Sequence, residues 1–264
     1  MLISLWIIAL FAASLFMLLT WLISVRIKNA GIVDIVWAAG FTPIAWIYFV
    51  LAEGWLPRKL LISAMVSFWS LRLGGYLFKL VMGHHPHEDA RYSEFRKKWG
   101  PRFDFNMFGF FQIQAVLLAV LSLPFLQACL NPNPDFHILE WIGLGIWALG
   151  LLGESAADLQ LSRFVANPEN RGKICQQGLW RYSRHPNYFF EWTIWIGYFV
   201  FALAQPSGWY SFYCPLLMLH FLVNVTGVKL SERGSLARRG EAYRRYQRTT
   251  SAFIPWFPKK DETS

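Results

Sequence analysis

Charge is what this 264-residue chain has little of: Asp, Glu, Lys and Arg make up 16% of it, against 55% hydrophobic and 18% aromatic residues. Soluble globular domains sit nearer about 45–50% apolar and about 25% charged. Cysteine is scarce as well, and Cys129, Cys175 and Cys214 show no paired spacing. That argues against a disulfide framework and against a zinc site built on thiolates. Low-complexity linkers and internal repeats are also missing, so residues 1–264 read as a single membrane domain.

What is there is a series of long apolar runs. A membrane span takes about 20 apolar residues to cross about 30 Å of hydrocarbon. Leu2–Val25 meets this without a charge, followed by Ile35–Leu51 and by Leu60–Val81, which carries Arg72. Gln114–Leu130 and Ile138–Leu152 are shorter and extend into their flanks, and Tyr188–Ala204 and Trp209–Val228 complete the set. The expected fold is all-α and polytopic, with about seven transmembrane helices. The first run lacks a basic leader and is followed by Arg26 and Lys28 rather than a cleavage site, so it reads as a retained span.

The formal charge of +9 is concentrated. Residues 83–110 hold five Lys and Arg, 160–188 hold five and 229–264 hold nine, while 131–137 and 205–208 hold none. With seven crossings these basic segments share one side, which predicts the N-terminus outside and the C-terminus in the cytoplasm. Arg58 and Lys59 dissent from the pattern. The charge is therefore topology, and nucleic acid is not expected as a partner.

The densest candidate site is the run Gly178–Trp192. A proline fits the first turn of a helix, so a helix is expected to start near Pro186. On it Asn187, Glu191 and Trp195 share one face at four-residue spacing. Arg181 and Arg184 precede it, where a helix N-terminus favours anions. An amide ligand needs a donor and an acceptor, which Asn and Glu supply together. The competing reading is an interfacial anchor, although a carboxylate inside the span is costly without a role. The tail, with Glu232, Tyr243, Tyr246 and arginines between, reads either as part of a site or as a surface helix on anionic lipid. His84, His85 and His87 are too poorly spaced for a metal set and read as a solvated loop.

With Val33–Trp37, Trp69–Gly74, Glu88–Tyr92 and Tyr243–Pro255 added, the string Ser183-Arg184-His185-Pro186-Asn187-Tyr188 followed by Glu191 makes the chain recognisable. It resembles the bacterial membrane family of unassigned function that shares the C-terminal domain of the steroid 5-alpha-reductases. The resemblance implies a seven-span enzyme of the bacterial inner membrane that uses NADPH to reduce a carbon–carbon double bond conjugated to a ketone. It also implies a cofactor-binding region over 154–258. There Asn187 and Glu191 match the pair that holds the nicotinamide amide, with Trp195 beside it and His185 and Tyr188 in the same string. Asp158 resembles the acidic residue that reaches the ribose, Glu154 lies one turn before it, and Arg163 is placed for a phosphate. The competing reading of Glu154 and Asp158 is a polar helix end at the membrane surface. Glu232, Tyr243 and Tyr246 match the cofactor-facing tail.

An acid must also polarise the carbonyl as the enolate forms. The family's third-span tyrosine falls at Trp69 here. Asp34 stands in as the candidate acid, since burial would favour its protonated, hydrogen-donating form; alternatively it pairs with Arg72. Tyr92 is the second candidate donor. The implied substrate is a hydrophobic enone entering from the bilayer, with membrane lipids as further partners; nothing selects an oligomeric state. The runner-up is an S-adenosylmethionine-dependent methyltransferase of the isoprenylcysteine or phospholipid type, from which Asn187, Glu191 and Ser231-Glu232 depart. A lipid-binding protein without catalysis is the third reading.

Overall fold

The computed structural model describes residues 1–261. Among them lie ten α-helices: α1 (Leu2–Ile27), α2 (Ile32–Leu51), α3 (Leu56–Gly83), α4 (Ala90–Trp99), α5 (Phe103–Leu121), α6 (Leu123–Leu130), α7 (Ile138–Ala166), α8 (Pro186–Ala202), α9 (Tyr213–His220) and α10 (Val228–Thr249). Six helical stretches among the described residues are long and apolar enough to cross a membrane. The chain is an all-α, polytopic membrane protein. The expected span Tyr188–Ala204 is not among the six; it corresponds to α8, whose 17 residues sit at the short end of the roughly 17–25 that can cross.

Local chemistry sets the helix ends. Pro186 opens α8, as its missing N–H predicts. Asp89 caps α4 by accepting from the Arg91 amide at 2.9 Å. His137 and Glu140 form a reciprocal capping box on α7. Pro124 sits in the first turn of α6 and separates it from α5, so the expected span Gln114–Leu130 is the second part of a longer, broken stretch. Gly240 interrupts α10 at φ 51°, where a side chain would be strained.

Within the membrane protein the fold divides into two compact units. The first holds Met1–Phe136 with Gln205–Gly208, and the second holds His137–Ala204 with the chain from Trp209 on. In the first unit α1 packs on α2 and α5, α2 on α3, and α3 on α6. Its core is aromatic, with Phe41 against Trp69 and Phe125. Arg58 is 1% exposed and donates to the carbonyls of Asn131 (3.1 Å), Asn133 (2.6 Å) and Asp135 (2.5 Å). Lys59 donates to the Ala52 carbonyl at 2.7 Å. Both cations therefore close the turn around Ala52 and the chain after α6, which accounts for their dissent from the charge pattern.

The second unit is built on the α7–α8 pair. The two backbones nearly touch: a Cβ on Gly150 would lie 2.8 Å from the Ile194 amide nitrogen, and one on Gly197 would lie 2.6 Å from that of Trp147. The loop before α8 is pinned to α7 by Trp180 Nε1 donating to the Ala157 carbonyl (2.9 Å) and by Leu179 N donating to Gln160 Oε1 (2.9 Å).

Candidate functional site

The second unit carries the polar interior. Glu154 and Asp158, one turn apart on α7, and Glu191 on α8 are all buried. Asn187 Nδ2 donates to Asp158 Oδ1 at 3.3 Å, and Trp195 Nε1 donates to Glu191 Oε1 at 2.9 Å. The stripe expected on α8 is thus real as geometry, and it faces the acidic turn of α7. Asn187 Oδ1 is buried and accepts no hydrogen bond. An orphaned buried acceptor costs about 1–3 kcal/mol, so it marks a place where a donor belongs. Tyr198 lies one turn beyond Trp195, fully buried, with ring centroids 5.8 Å apart. Sequence reading passed over it as one more aromatic in an apolar run.

The arginines differ in kind. Arg163 and Arg181 are exposed. Arg184, expected at an anion-binding helix start, turns inward instead. It is 8% exposed; its Nε donates to Glu232 Oε1 at 2.7 Å, and its Nη1 donates to the carbonyls of Gln247 (3.0 Å) and Thr250. His185 Nε2 lies 3.4 Å from the same carboxylate oxygen, and Gln247 Nε2 donates to Glu232 Oε2 at 2.8 Å. The imidazole of His185 stacks on the Tyr188 ring at 5.3 Å. Tyr246 donates to the carbonyls of Trp180 and Ser183, and the Tyr243 ring packs edge-on against Tyr246. Glu232, Tyr243 and Tyr246 therefore bind α10 to the start of α8, and Gln247 is a member that the sequence did not announce.

The first unit holds the other candidates together. Asp34, in the first turn of α2, accepts from Tyr92 Oη at 2.9 Å and from Arg91 Nη2 at 2.9 Å. Its ion-pair partner is Arg91 of α4, not Arg72 as the alternative reading had it. The reason is tertiary: α4 folds back because Glu88 accepts from the Ala30 amide (2.8 Å) and from Arg96 (3.0 Å). Burial raises the Asp89 carboxyl, but hydrogen bonds and charge from Arg91 outweigh it and leave the group below its ordinary value. An open apolar groove of about 300 Å³ lies in this unit, lined by Phe16, Leu19 and Ile23 of α1 and by Ile35, Val36 and Pro43 of α2. Cys129, Cys175 and Cys214 are free and buried. Among the described residues no three His, Cys, Asp or Glu side chains gather as a metal set.

One family model matches residues 20–250, nearly the whole chain. The chain belongs to that family, described as protein of unknown function DUF1295. Every candidate residue from Asp34 to Tyr246 falls inside the matched range of this DUF1295 protein. It is 27% identical over 263 residues to the uncharacterized protein C594.04c of Schizosaccharomyces pombe, covering 89% of this chain and 75% of that one. The uncharacterized protein C9.08c of the same yeast is 30% identical over 116 residues, which is 38% of this chain and 41% of that protein. No solved structure matches the chain. Both relatives are fungal, so they lend no support to a bacterial inner membrane; an integral membrane protein is what stands.

Proposed function

We propose that this DUF1295 protein is a membrane-embedded, NADPH-dependent reductase of a carbon–carbon double bond conjugated to a ketone, acting on a hydrophobic, steroid- or lipid-like substrate. The carrying observation is the buried Asn187 Oδ1 without a donor, on the same helix face as Glu191. A nicotinamide carboxamide fits there: its N–H answers the Asn187 acceptor, and Asn187 Nδ2 and the Glu191 carboxyl supply the complementary groups. Asp158 and Glu154 are the candidates for ribose hydroxyls, and exposed Arg163 and Arg181 for phosphates. When bound, the dinucleotide supplies a hydride.

This chain's own residues supply the rest. Asn187 and Glu191 orient the amide, and Trp195 holds the Glu191 carboxyl through its indole N–H. Asp34 and Tyr92 of the first unit are the candidates for the acid that the reaction requires, with Arg91 fixing the Asp34 carboxyl. The apolar groove between α1 and α2 suits a substrate that arrives through the bilayer. Arg184, Glu232 and Tyr246 hold the start of α8 in place, and His185, Tyr188 and Tyr243 beside them are the further candidates for contact with the cofactor. In the membrane, the N-terminus lies outside and the C-terminus in the cytoplasm, with α8 as the sixth of seven crossings.

Calorimetry on purified protein tests the cofactor: NADPH should bind in preference to NADH and S-adenosylmethionine. Binding of S-adenosylmethionine without dinucleotide would replace the reductase with a methyltransferase. Reporter fusions after residues 133 and 264 test the topology, and a cytoplasmic signal at 133 would overturn it.

A further inference from the structure

The C-terminal tail beyond α10 is held firmly and yet displays its most apolar side chains. Ser251 accepts from the Arg184 amide (2.9 Å), Phe253 O accepts from Ser183 Oγ (2.8 Å), Trp256 N donates to the Tyr182 carbonyl (2.9 Å) and Lys259 N donates to the Thr249 carbonyl (2.8 Å). Phe253 turns inward onto Phe189 and Trp192 of α8, each with ring centroids 5.9 Å away. Its neighbours do the opposite: Ile254 is 58% exposed, Trp256 67% and Phe257 75%. Three large apolar side chains on a fixed backbone are a surface that something covers.

Position and charge say what covers it. Trp256 is bonded to Tyr182, four residues before the first residue of α8, where an apolar helix begins. With α8 taken as a crossing, that is the level of lipid headgroups, where aromatic rings and the stems of lysine and arginine are at home. Residues 228–261 hold nine Lys and Arg against three acidic residues. Of those three, Glu232 is engaged by Arg184, while Glu241 and Asp261 pair with arginines of α10. Lys259 and Lys260 follow the exposed trio directly and are themselves exposed.

We propose that the tail from Phe253 to Lys260, with the cationic face of α10, is an interfacial anchor for anionic phospholipid in the leaflet where α8 begins. Ile254, Trp256 and Phe257 enter the boundary between headgroups and acyl chains, and Lys259, Lys260 and the outer arginines meet the lipid phosphates. The inference is independent of the reductase reading, since none of these side chains belongs to the Asn187–Glu191 site.

The test uses the full chain in nanodiscs of phosphatidylcholine alone or mixed with phosphatidylglycerol. The native cysteines are buried, so Pro258→Cys takes a bimane label selectively. The label should be quenched by nitroxide-bearing lipid and protected from iodide in the phosphatidylglycerol discs, and more weakly so in the neutral ones. Lys259→Gln with Lys260→Gln should weaken the membrane-seated state about fivefold per lysine, and added salt should act in the same direction. Trp256→Ser with Phe257→Ser should abolish lipid quenching while melting behaviour is retained. If a variant fails to fold, the comparison of the two lipid mixtures still decides. Equal quenching in both mixtures, or iodide access in both without lipid quenching, overturns the anchor; the second result would leave the surface to a soluble protein partner.

Discussion

The charged clusters of the first unit and the α7–α8 interior of the second are built differently. In the first, Asp34 meets Arg91, Glu88 meets Arg96, and Arg58 is surrounded by backbone carbonyls. In the α7–α8 interior of the second, Asp158 takes an amide hydrogen from Asn187, and Glu191 takes an indole hydrogen from Trp195. An ion pair or a filled carbonyl cage closes a site on itself, whereas the buried Asn187 Oδ1 still lacks a donor, which is what the proposed ligand would bring. The contrast separates the residues that hold the fold from those proposed to hold a ligand.

The largest effect should come from breaking the one closed cluster of the second unit. Arg184→Ala leaves Glu232 in a largely buried setting and strips donors from two carbonyls, a change that costs about 3–5 kcal/mol for a buried pair. A large fall in melting temperature of the detergent-purified protein is expected; an unchanged value would mean that α10 is not held through this arginine.

Next in size is the proposed acid pair of the first unit, Asp34 and Tyr92. Tyr92→Phe should slow turnover on an enone substrate about a hundredfold or more, the scale of positioned acid catalysis. Asp34→Asn should slow it less, and NADPH affinity should be retained in both. Unaffected turnover in both variants would return Asp34, Arg91 and Tyr92 to a purely structural role and erase the functional part of the first unit.

The open site should respond in binding rather than in stability. Glu191→Gln should weaken NADPH by roughly 1.5–3 kcal/mol, the range for a charge-assisted hydrogen bond. Asn187→Ala should act likewise, and the double variant should lose less than the sum because both side chains meet one amide. Wild-type affinity in both single variants would turn this helix into the interfacial anchor that sequence reading kept as its competitor.

The smallest effect belongs to Asp89, half-exposed between α3 and α4. Its carboxyl lies below the ordinary value because Arg91 outweighs burial. The stabilisation is therefore present above the unfolded-state value near pH 4 and is lost as pH falls through the lower folded value. Exposure screens it, so Asp89→Asn should change acid stability by about 1 kcal/mol or less. A larger change would show that the closed cluster of the first unit depends on its surface member.

How far the sequence could see follows the same division. The start of α8 was legible because proline chemistry is local, and the Asn187–Glu191–Trp195 face was legible because helical spacing is local. The inward turn of Arg184 and the burial of Arg58 were not, since a charge count cannot tell a guanidinium in a loop from one caged by carbonyls contributed 73 or more residues away. Asp34 finds Arg91 rather than Arg72 because Glu88 folds α4 back onto the Ala30 turn, a contact across 58 residues. The break at Pro124 was readable, but the reach of α5 back to Phe103 was hidden by Asp104, Asn106 and Gln112.

The glycine contacts between α7 and α8 carry a further consequence. With Gly150 against Ile194 and Gly197 against Trp147, neither helix can advance by one residue, because that step turns a helix by about 100° and lifts it by about 1.5 Å, driving a side chain into the facing backbone. The pair is a ratchet jammed at one tooth. Asp158 consequently stays opposite Asn187, and a ligand of the proposed site would meet the two side chains in this register.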